Sequence, residues 1–389
     1  MIRFVHCVTD EKFTKNIVTT FDFLADSCHS SYVYIVNDGK PKALKYIANN
    51  TSVEHLKIEE LMIRLRDGQY DVLFLHNLRS MPLEHISQIP ENLKVVWLAW
   101  GFDIYSRVGT RPLVEMNNPY HQETRKLIKP TAKEWVANTS KLIYRWAFRD
   151  RLVHSAVSRV DFFSGIIPEE YDLMCNNPFF HAKRIDYRYS SPLSNISLDL
   201  LRTEQPARGM NIMVGNSGDP TNNHADIFYK LAQLDLGDRK IFAPLSYAGS
   251  LRYRRQVKDL GERFWGNRFV AIQDFMPVAE YKSVISSCGF RIFGHERQQA
   301  MGNIRLAFRA GCKVFLSESS ILYRHHVDMG LKVYTIQNDI LNGEVLALPS
   351  EDEAYSNRKI AIEDSLTSKQ IERLLALLAQ ISNSEMRWK

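Results

Sequence analysis

Short apolar runs and helically spaced segments alternate along this chain, and the alternation starts twice. In the first half the runs Ile2–Val8, Tyr32–Val36, Val72–Leu75 and Val95–Trp100 read as buried strands, with helical spacing between them, as around Glu59–Arg66. Residues from about Pro130 to Val157 read as one or two amphipathic helices, and Phe162-Phe163-Ser164-Gly165 as a strand ending at a glycine. Ser190–Gly209 changes character to Ser, Pro, Asn, Thr and Gln, the composition of a linker. The alternation then restarts with Asn211–Val214, Lys240–Ala243, Arg268–Ile272, Gly289–Phe293, Lys313–Leu316 and Lys332–Thr335. A last helix, about Thr367–Ser382, carries a broad apolar face of Ile371, Leu374, Leu375, Leu377, Leu378 and Ile381. Strands alternating with helices predict parallel sheets covered on both faces. The expected division is a first domain over 1–195, a linker over 196–209, a second domain over 210–364, and a terminal segment 365–389 packing back on the first domain.

Composition agrees with this picture. A chain of 389 residues is too long for one ordinary core, and 45% hydrophobic with 24% charged residues is globular usage. The net charge of +6 does not call for nucleic acid, but Arg111–Arg159 carries ten basic and four acidic residues, a face suited to anionic partners. Within it Lys141, Arg145 and Arg149 share a helix face, with Arg151 close by and Trp146 and Phe148 between them; this suits an anionic membrane surface and equally a solvated helix covering the sheet. The five scattered cysteines form no CxxC pair, which argues against a zinc site or disulfide framework and fits a reducing compartment. No run approaches the roughly 18 apolar residues of a membrane span, so any membrane contact is expected to be peripheral.

Candidate chemistry gathers at predicted strand ends. After Met210–Val214 comes Gly215-Asn216-Ser217-Gly218-Asp219-Pro220, then a helical pattern. Glycines there allow close backbone approach to a phosphate at a helix start. The loop has no Walker lysine, and Asp219, Ser217 or Thr221 reads equally well as a helix cap with Pro220 in the first turn. After Phe290–Phe293 comes Gly294-His295-Glu296-Arg297-Gln298-Gln299-Ala300-Met301-Gly302-Asn303. Glu296 can accept from ribose or sugar hydroxyls, Arg297 can fork onto a diphosphate, and Gly302 permits close approach, although a solvated loop would also look like this. In Trp97–Tyr105, Asp103 follows a strand and a glycine, the place of a general base or of a turn aspartate. His76 ends the strand Val72–Leu75, where a hydrogen-bonded core histidine is the commoner outcome. Asp-x-Asp, HExxH, GxSxG and an N-terminal GxGxxG are all missing, which disfavours protease, serine hydrolase and dinucleotide oxidoreductase readings.

Taken in order, Val214–Asp219 with Asn223-His224, Pro244-Leu245-Ser246-Tyr247, Arg297-Gln298-Gln299 with Gly302, and Trp100-Gly101-x-Asp103-x-Tyr105 resemble the TDP-4-acetamido-4,6-dideoxy-galactose transferases, also called 4-alpha-L-fucosyltransferases, glycosyltransferase family 56. Met210–Arg324 carries the resemblance, with part of Val72–Tyr105, and the chain departs from the family's pattern at His295-Glu296, where a small or apolar residue is more usual. The resemblance implies a GT-B architecture, two Rossmann-like domains facing across a cleft, with acceptor in the first and donor in the second. It further implies transfer of a deoxyamino sugar from a dTDP- or UDP-linked donor to a polyprenyl-diphosphate-linked saccharide at the inner face of a bacterial inner membrane. On this reading no cofactor or metal is needed. Gly215, Asn216, Ser217, Gly218, Asp219, Tyr247, Glu296, Arg297, Gln298, Gln299, Gly302 and Asn303 hold the donor. Asp103 is the base if the reaction inverts, and His76, Arg145, Arg149 and Arg151 meet acceptor or membrane. A nucleotide-sugar epimerase of the same architecture and a non-catalytic sugar-nucleotide-binding subunit are the alternatives.

Overall fold

The computed structural model describes residues 1–36, 44–47, 50, 52–106, 111–116, 118–130, 139, 149–187 and 196–383. The chain divides into two compact units. Unit 1 comprises Met1–Glu115, Glu134–Asn195 and Thr367–Lys389; unit 2 comprises Met116–Lys133 and Ile196–Leu366.

Unit 1 holds seven parallel strands: β1 (Ile2–Val8), β2 (Cys28–Ile35), β3 (Val53–Leu56), β4 (Val72–Leu75), β5 (Lys94–Leu98), β6 (Phe162–Ser164) and β7 (Lys183–Arg184), in the order β3-β2-β1-β4-β5-β6-β7. The central strands β4 and β5 are almost wholly buried, which is why they read as unbroken apolar runs. β2 begins earlier than its apolar run because His29, Ser30 and Ser31 pair with β1. The edge strand β3 escaped the sequence pattern, since only Val53 and Leu56 of its four residues face inward. The last helix, Thr367–Asn383, places Leu374, Leu377 and Ile381 in the same core as Phe4, Phe21 and Phe74. Each such side chain contributes about 1.5–3 kcal/mol by burial.

Unit 2 holds six: β8 (Ile212–Val214), β9 (Ile241–Pro244), β10 (Phe269–Ile272), β11 (Phe290–Phe293), β12 (Lys313–Leu316) and β13 (Tyr334–Thr335), in the order β10-β9-β8-β11-β12-β13, all parallel. In each sheet the order reverses beside the first strand, between β1 and β4 and between β8 and β11. Loops leaving a parallel sheet diverge at such a switch point and open a crevice at the carboxyl ends.

Two boundaries differ from the sequence reading. Residues 116–133, expected in the first domain, belong to unit 2, because the buried Asn223 side chain accepts from the His121 N–H at 2.8 Å and donates to the Pro119 carbonyl at 3.0 Å. The Asp226 carboxylate also accepts from Glu123 and Thr124 N–H at the start of the helix Gln122–Leu127, while Leu127 and Ile128 pack on the unit 2 core. Residues 196–209 are docked as well as connecting: Arg358 donates to the carbonyls of Leu200 and Glu204. Most of the basic helical stretch, Arg145 included, lies outside the described residues. Among the described residues no helix is long and apolar enough to cross a membrane.

Candidate active site

The switch point of unit 2 is built around one buried amide that the sequence did not single out. Asn222 is fully buried; its Oδ1 accepts from Asn216 N–H at 2.9 Å and from His295 Nε2 at 2.9 Å. Its Nδ2 donates to the carbonyls of Ser217 and Asp219 at 3.1 and 2.9 Å. One side chain thereby ties the β8 loop to the β11 loop. Gly215, at φ +73°, is required here, since a Cβ would stand 2.7 Å from Asn222 Oδ1 and 2.8 Å from His224 Nε2. Gly218 lies under the Arg254 stem, whose Cδ and Cγ a Cβ would meet at 2.6 Å. Asn223 adds a second tie, donating from Nδ2 to the Gly294 carbonyl at 2.6 Å. Thr221 adds a third, its hydroxyl donating to Gln299 Oε1 at 2.8 Å.

This framework sorts the expected donor residues. Ser217 is buried within the loop, and Asp219 Oδ1 accepts from the N–H and hydroxyl of Thr221, so both are occupied in shaping the turn. Of the two readings the sequence left open for Asp219, the structure shows the capping one. Asn216 donates to the Tyr247 hydroxyl at 2.9 Å, and its Oδ1 is buried without a partner. Orphaned buried atoms recur round this loop, at His224 Nε2, His295 Nδ1 and Arg254 Nε. Burial pushes both histidines down to about 3, so they are neutral at physiological pH.

The β11 loop presents the groups that remain free. Arg297 is half-buried and has no carboxylate partner among the described residues. Ala300, at φ 61°, starts the helix Met301–Arg309 without a side-chain cap. Asn303 and Ile304 N–H bond back to the Ala300 carbonyl, so the N–H groups of Met301 and Gly302 carry the positive end of the helix. Gly302 is exposed, and a Cβ there would meet nothing within 4 Å, which leaves room for close approach. Gln298 is buried.

Glu296 is held by three donors. His121 Nε2 lies 2.5 Å from Oε1, Ser317 Oγ donates to the same oxygen, and Ser319 Oγ donates to Oε2 at 2.7 Å. Burial alone would raise the Glu296 carboxyl, but these bonds outweigh it and hold it below the usual range. The bond to Glu296 raises His121 above its ordinary value against the opposing effect of burial. A cavity of about 400 Å³ opens beside this pair. His121 was invisible in sequence, 175 residues from Glu296 in a segment with no distinguishing pattern; Ser317 and Ser319 were missed although they directly follow the predicted strand Lys313–Leu316, a strand end that could have singled them out.

In unit 1 the expected base is corrected. Asp103 is 1% exposed, and its oxygens accept from Trp100 N–H at 3.0 Å, Leu78 N–H at 3.3 Å and Trp97 Nε1 at 3.4 Å. It closes the first turn of the helix Gly101–Tyr105, and burial pushes it up to about 7. Asp103→Asn turns an amide N–H against one of those donors and is expected to destabilise unit 1 by about 1–3 kcal/mol. Denaturant unfolding monitored over unit 1 checks this; unchanged stability would restore Asp103 to a role outside the fold. His76 is likewise corrected: it is 1% exposed and lies 3.0 Å from His6 Nδ1 in an aromatic cluster. Arg149 and Arg151 part company. Arg149 joins Arg79, Thr9 and Asp10 in a cavity of about 670 Å³ at the carboxyl ends of β1, β2 and β4, whereas Arg151 lines a separate groove with His154 and Phe179.

Residues 186–378 match the family described as 4-alpha-L-fucosyltransferase glycosyl transferase group 56. Similar solved structures include sucrose-phosphate synthase from Thermosynechococcus elongatus, 11% identical over 98% of this chain and 100% of that one, with a TM-score of 0.58. The lipopolysaccharide outer core galactosyltransferase WaaB is 11% identical over 97% and 99%, with a TM-score of 0.58. Anabaena HepE in complex with UDP and glucose is 10% identical over 100% of both chains, with a TM-score of 0.55. At these identities the likeness is one of fold, and the expected GT-B class, two parallel sheets with helices, is borne out.

Proposed function

Because the chain belongs to the 4-alpha-L-fucosyltransferase family, glycosyl transferase group 56, we propose that this glycosyltransferase moves a deoxyamino sugar of the 4-acetamido-4,6-dideoxy-galactose type from a dTDP- or UDP-linked donor to a polyprenyl-diphosphate-linked saccharide. The observation that carries the donor half is an Arg297 with no carboxylate partner among the described residues, on the loop that leads into the uncapped helix start at Met301-Gly302 beside the switch point of unit 2. A leaving diphosphate there gains a guanidinium fork and two backbone N–H groups, which act in the transition state without being rearranged. Tyr247, bonded to Asn216 on the neighbouring strand end, offers a ring for the nucleoside. HepE, which shares the fold, is in complex with UDP, and this supports a nucleotide as a ligand here.

For the acceptor, Arg79 and Arg149 are the cations of the cavity at the carboxyl ends of β1, β2 and β4, which Asp10, Glu11 and Glu84 also line, and these two arginines are the groups that would meet a lipid-linked diphosphate. A peripheral site on the inner membrane face, in surface polysaccharide synthesis, follows from that choice of acceptor. The test supplies dTDP- and UDP-linked sugars with and without polyprenyl-diphosphate saccharide and follows products by mass spectrometry. Acceptor-dependent transfer is expected. Donor conversion without acceptor favours the epimerase, and donor binding without any product favours a binding subunit. Arg297→Ala is expected to weaken UDP or dTDP binding about 10–100-fold, the worth of a lost charge-assisted contact, with the melting temperature unchanged. Undiminished nucleotide affinity by calorimetry would remove Arg297 from the donor site.

A further inference from the structure

Asp103 is sealed in its own turn, and the geometry points to His121 as the general base for the acceptor hydroxyl, with Glu296 as its orienting partner. This rests on the transferase reading above and adds an inverting course to it.

The two side chains divide the work by exposure. Glu296 is 6% exposed and His121 29%, at an Nε2–Oε1 distance of 2.5 Å. Ser317 and Ser319 fix the carboxylate, and Gln337 donates to Ser317 Oγ at 2.8 Å, so the acid is anchored from behind. A carboxylate so supplied with donors stays ionised and is a poor base. It is well placed to accept Nε2–H, which leaves the neutral imidazole with its lone pair on Nδ1. That atom has no partner among the described residues and is not one of the buried polar atoms. Beside the pair, Tyr120, Gln122, Arg125 and Ser319 line the cavity of about 400 Å³. Backbone anchoring of His121 by Asn223 joins the base to the same hub that sets the donor loops.

In the step, the acceptor hydroxyl proton passes to His121 Nδ1 as its oxygen bonds to the anomeric carbon. The bond from that carbon to the donor diphosphate breaks, and the electron pair leaves on the diphosphate. Glu296 stabilises the imidazolium, which returns its proton to water after product leaves. The charged groups facing His121 are Glu296 from the β11 loop, Asp226 from the helix His224–Leu231 and Arg125 from its own helix; the acids raise it and the arginine lowers it. The working form is the neutral one, so kcat/KM rises with pH through a value above 6.5.

His121→Asn and His121→Gln keep a donor toward Glu296 and remove the titrating base. Both are expected to lose 10²–10⁴-fold in kcat. UDP affinity should stay within about threefold, and the rising pH limb should vanish. In the wild type, imidazole NMR should show Nδ1 unprotonated in the neutral form, and Glu296→Gln should move the titration toward lower pH. Product analysis should show inversion. A His121 variant with normal kcat, a neutral tautomer protonated at Nδ1, or retained anomeric configuration each overturns the assignment. Wild-type protein that turns over no nucleotide sugar fails the transferase reading instead, and the NMR titration still tests the His121–Glu296 pair.

Discussion

Asn222→Ala is expected to cost unit 2 about 3–4 kcal/mol, the largest effect of any single change at the candidate site. The side chain is fully buried and serves four partners on two loops: Asn216 N–H, His295 Nε2 and the carbonyls of Ser217 and Asp219. Alanine orphans Asn216 N–H, His295 Nε2 and the Ser217 carbonyl, while the Asp219 carbonyl keeps the backbone N–H of residue 222; each buried orphan costs about 1–3 kcal/mol before the loop relaxes. Asn222→Asp separates hydrogen bonding from size. It keeps the acceptor for Asn216 and His295 but turns an oxygen toward two carbonyl oxygens, so it is expected to be no milder than alanine. Denaturant unfolding with hydrogen exchange read over residues 210–300 is the measurement. A loss under about 1 kcal/mol for both variants would mean that the two strand-end loops hold their shape without the hub.

The second large effect is acid lability confined to unit 2. His224 and His295 sit at about 3 in the folded state against an ordinary 6.5. Below pH 6.5 the unfolded chain takes protons that the folded chain refuses, so stability falls as pH falls, by about 1.4 kcal/mol per pH unit for each histidine. At pH 5 this is about 2 kcal/mol each. Glu296, held low, withdraws its own contribution only below its ordinary 4.5, in the same direction. His121 runs the other way at higher pH: its stabilisation is complete below 6.5 and is lost as pH rises through its raised folded value.

Unit 1 carries a compensating pair. His6 and His76 are depressed, but buried Asp103 and Glu170 are raised to about 7. Between about pH 4.5 and 6.5 the folded unit binds protons on the two acids while the unfolded chain binds them on the two histidines, and the slopes cancel. Hydrogen exchange, corrected for intrinsic rates, should therefore show unit 2 opening first on acidification. His295→Gln should roughly halve the slope in unit 2. Equal loss in both units, or an unchanged slope in that variant, would show that these histidines do not govern acid stability.

How legible the site was depended on whether its cause was local. Strands such as Val72–Leu75 and Ile212–Val214 were visible because a strand buried on both faces is apolar along its length. Val53–Leu56 was not, because only its first and last residues are buried, which leaves neither an apolar run nor an alternation to read. Gly215 and Gly218 were legible as glycines, but the contacts that require them come from Asn222, His224 and Arg254. Asp103 misled because a cap and a base share the same sequence position, after a strand and a glycine. Its burial decides between them, together with the donors it receives from Leu78 N–H and Trp97 Nε1.

The sequence by itself determined two parallel α/β sheets, most of their strands and the loops at whose ends chemistry gathers, since hydrophobic period and glycine placement are written within a few residues of each other. The tertiary structure alone decided which polar groups in those loops are spent on the fold and which stay available. It spent Asp103, His76 and Ser217 internally, set Asp219 to cap its turn, left Arg297 without a carboxylate partner among the described residues, and drew His121 from 175 residues away onto Glu296. Pairing of that kind depends on which loops a sheet brings together, and no local pattern encodes it.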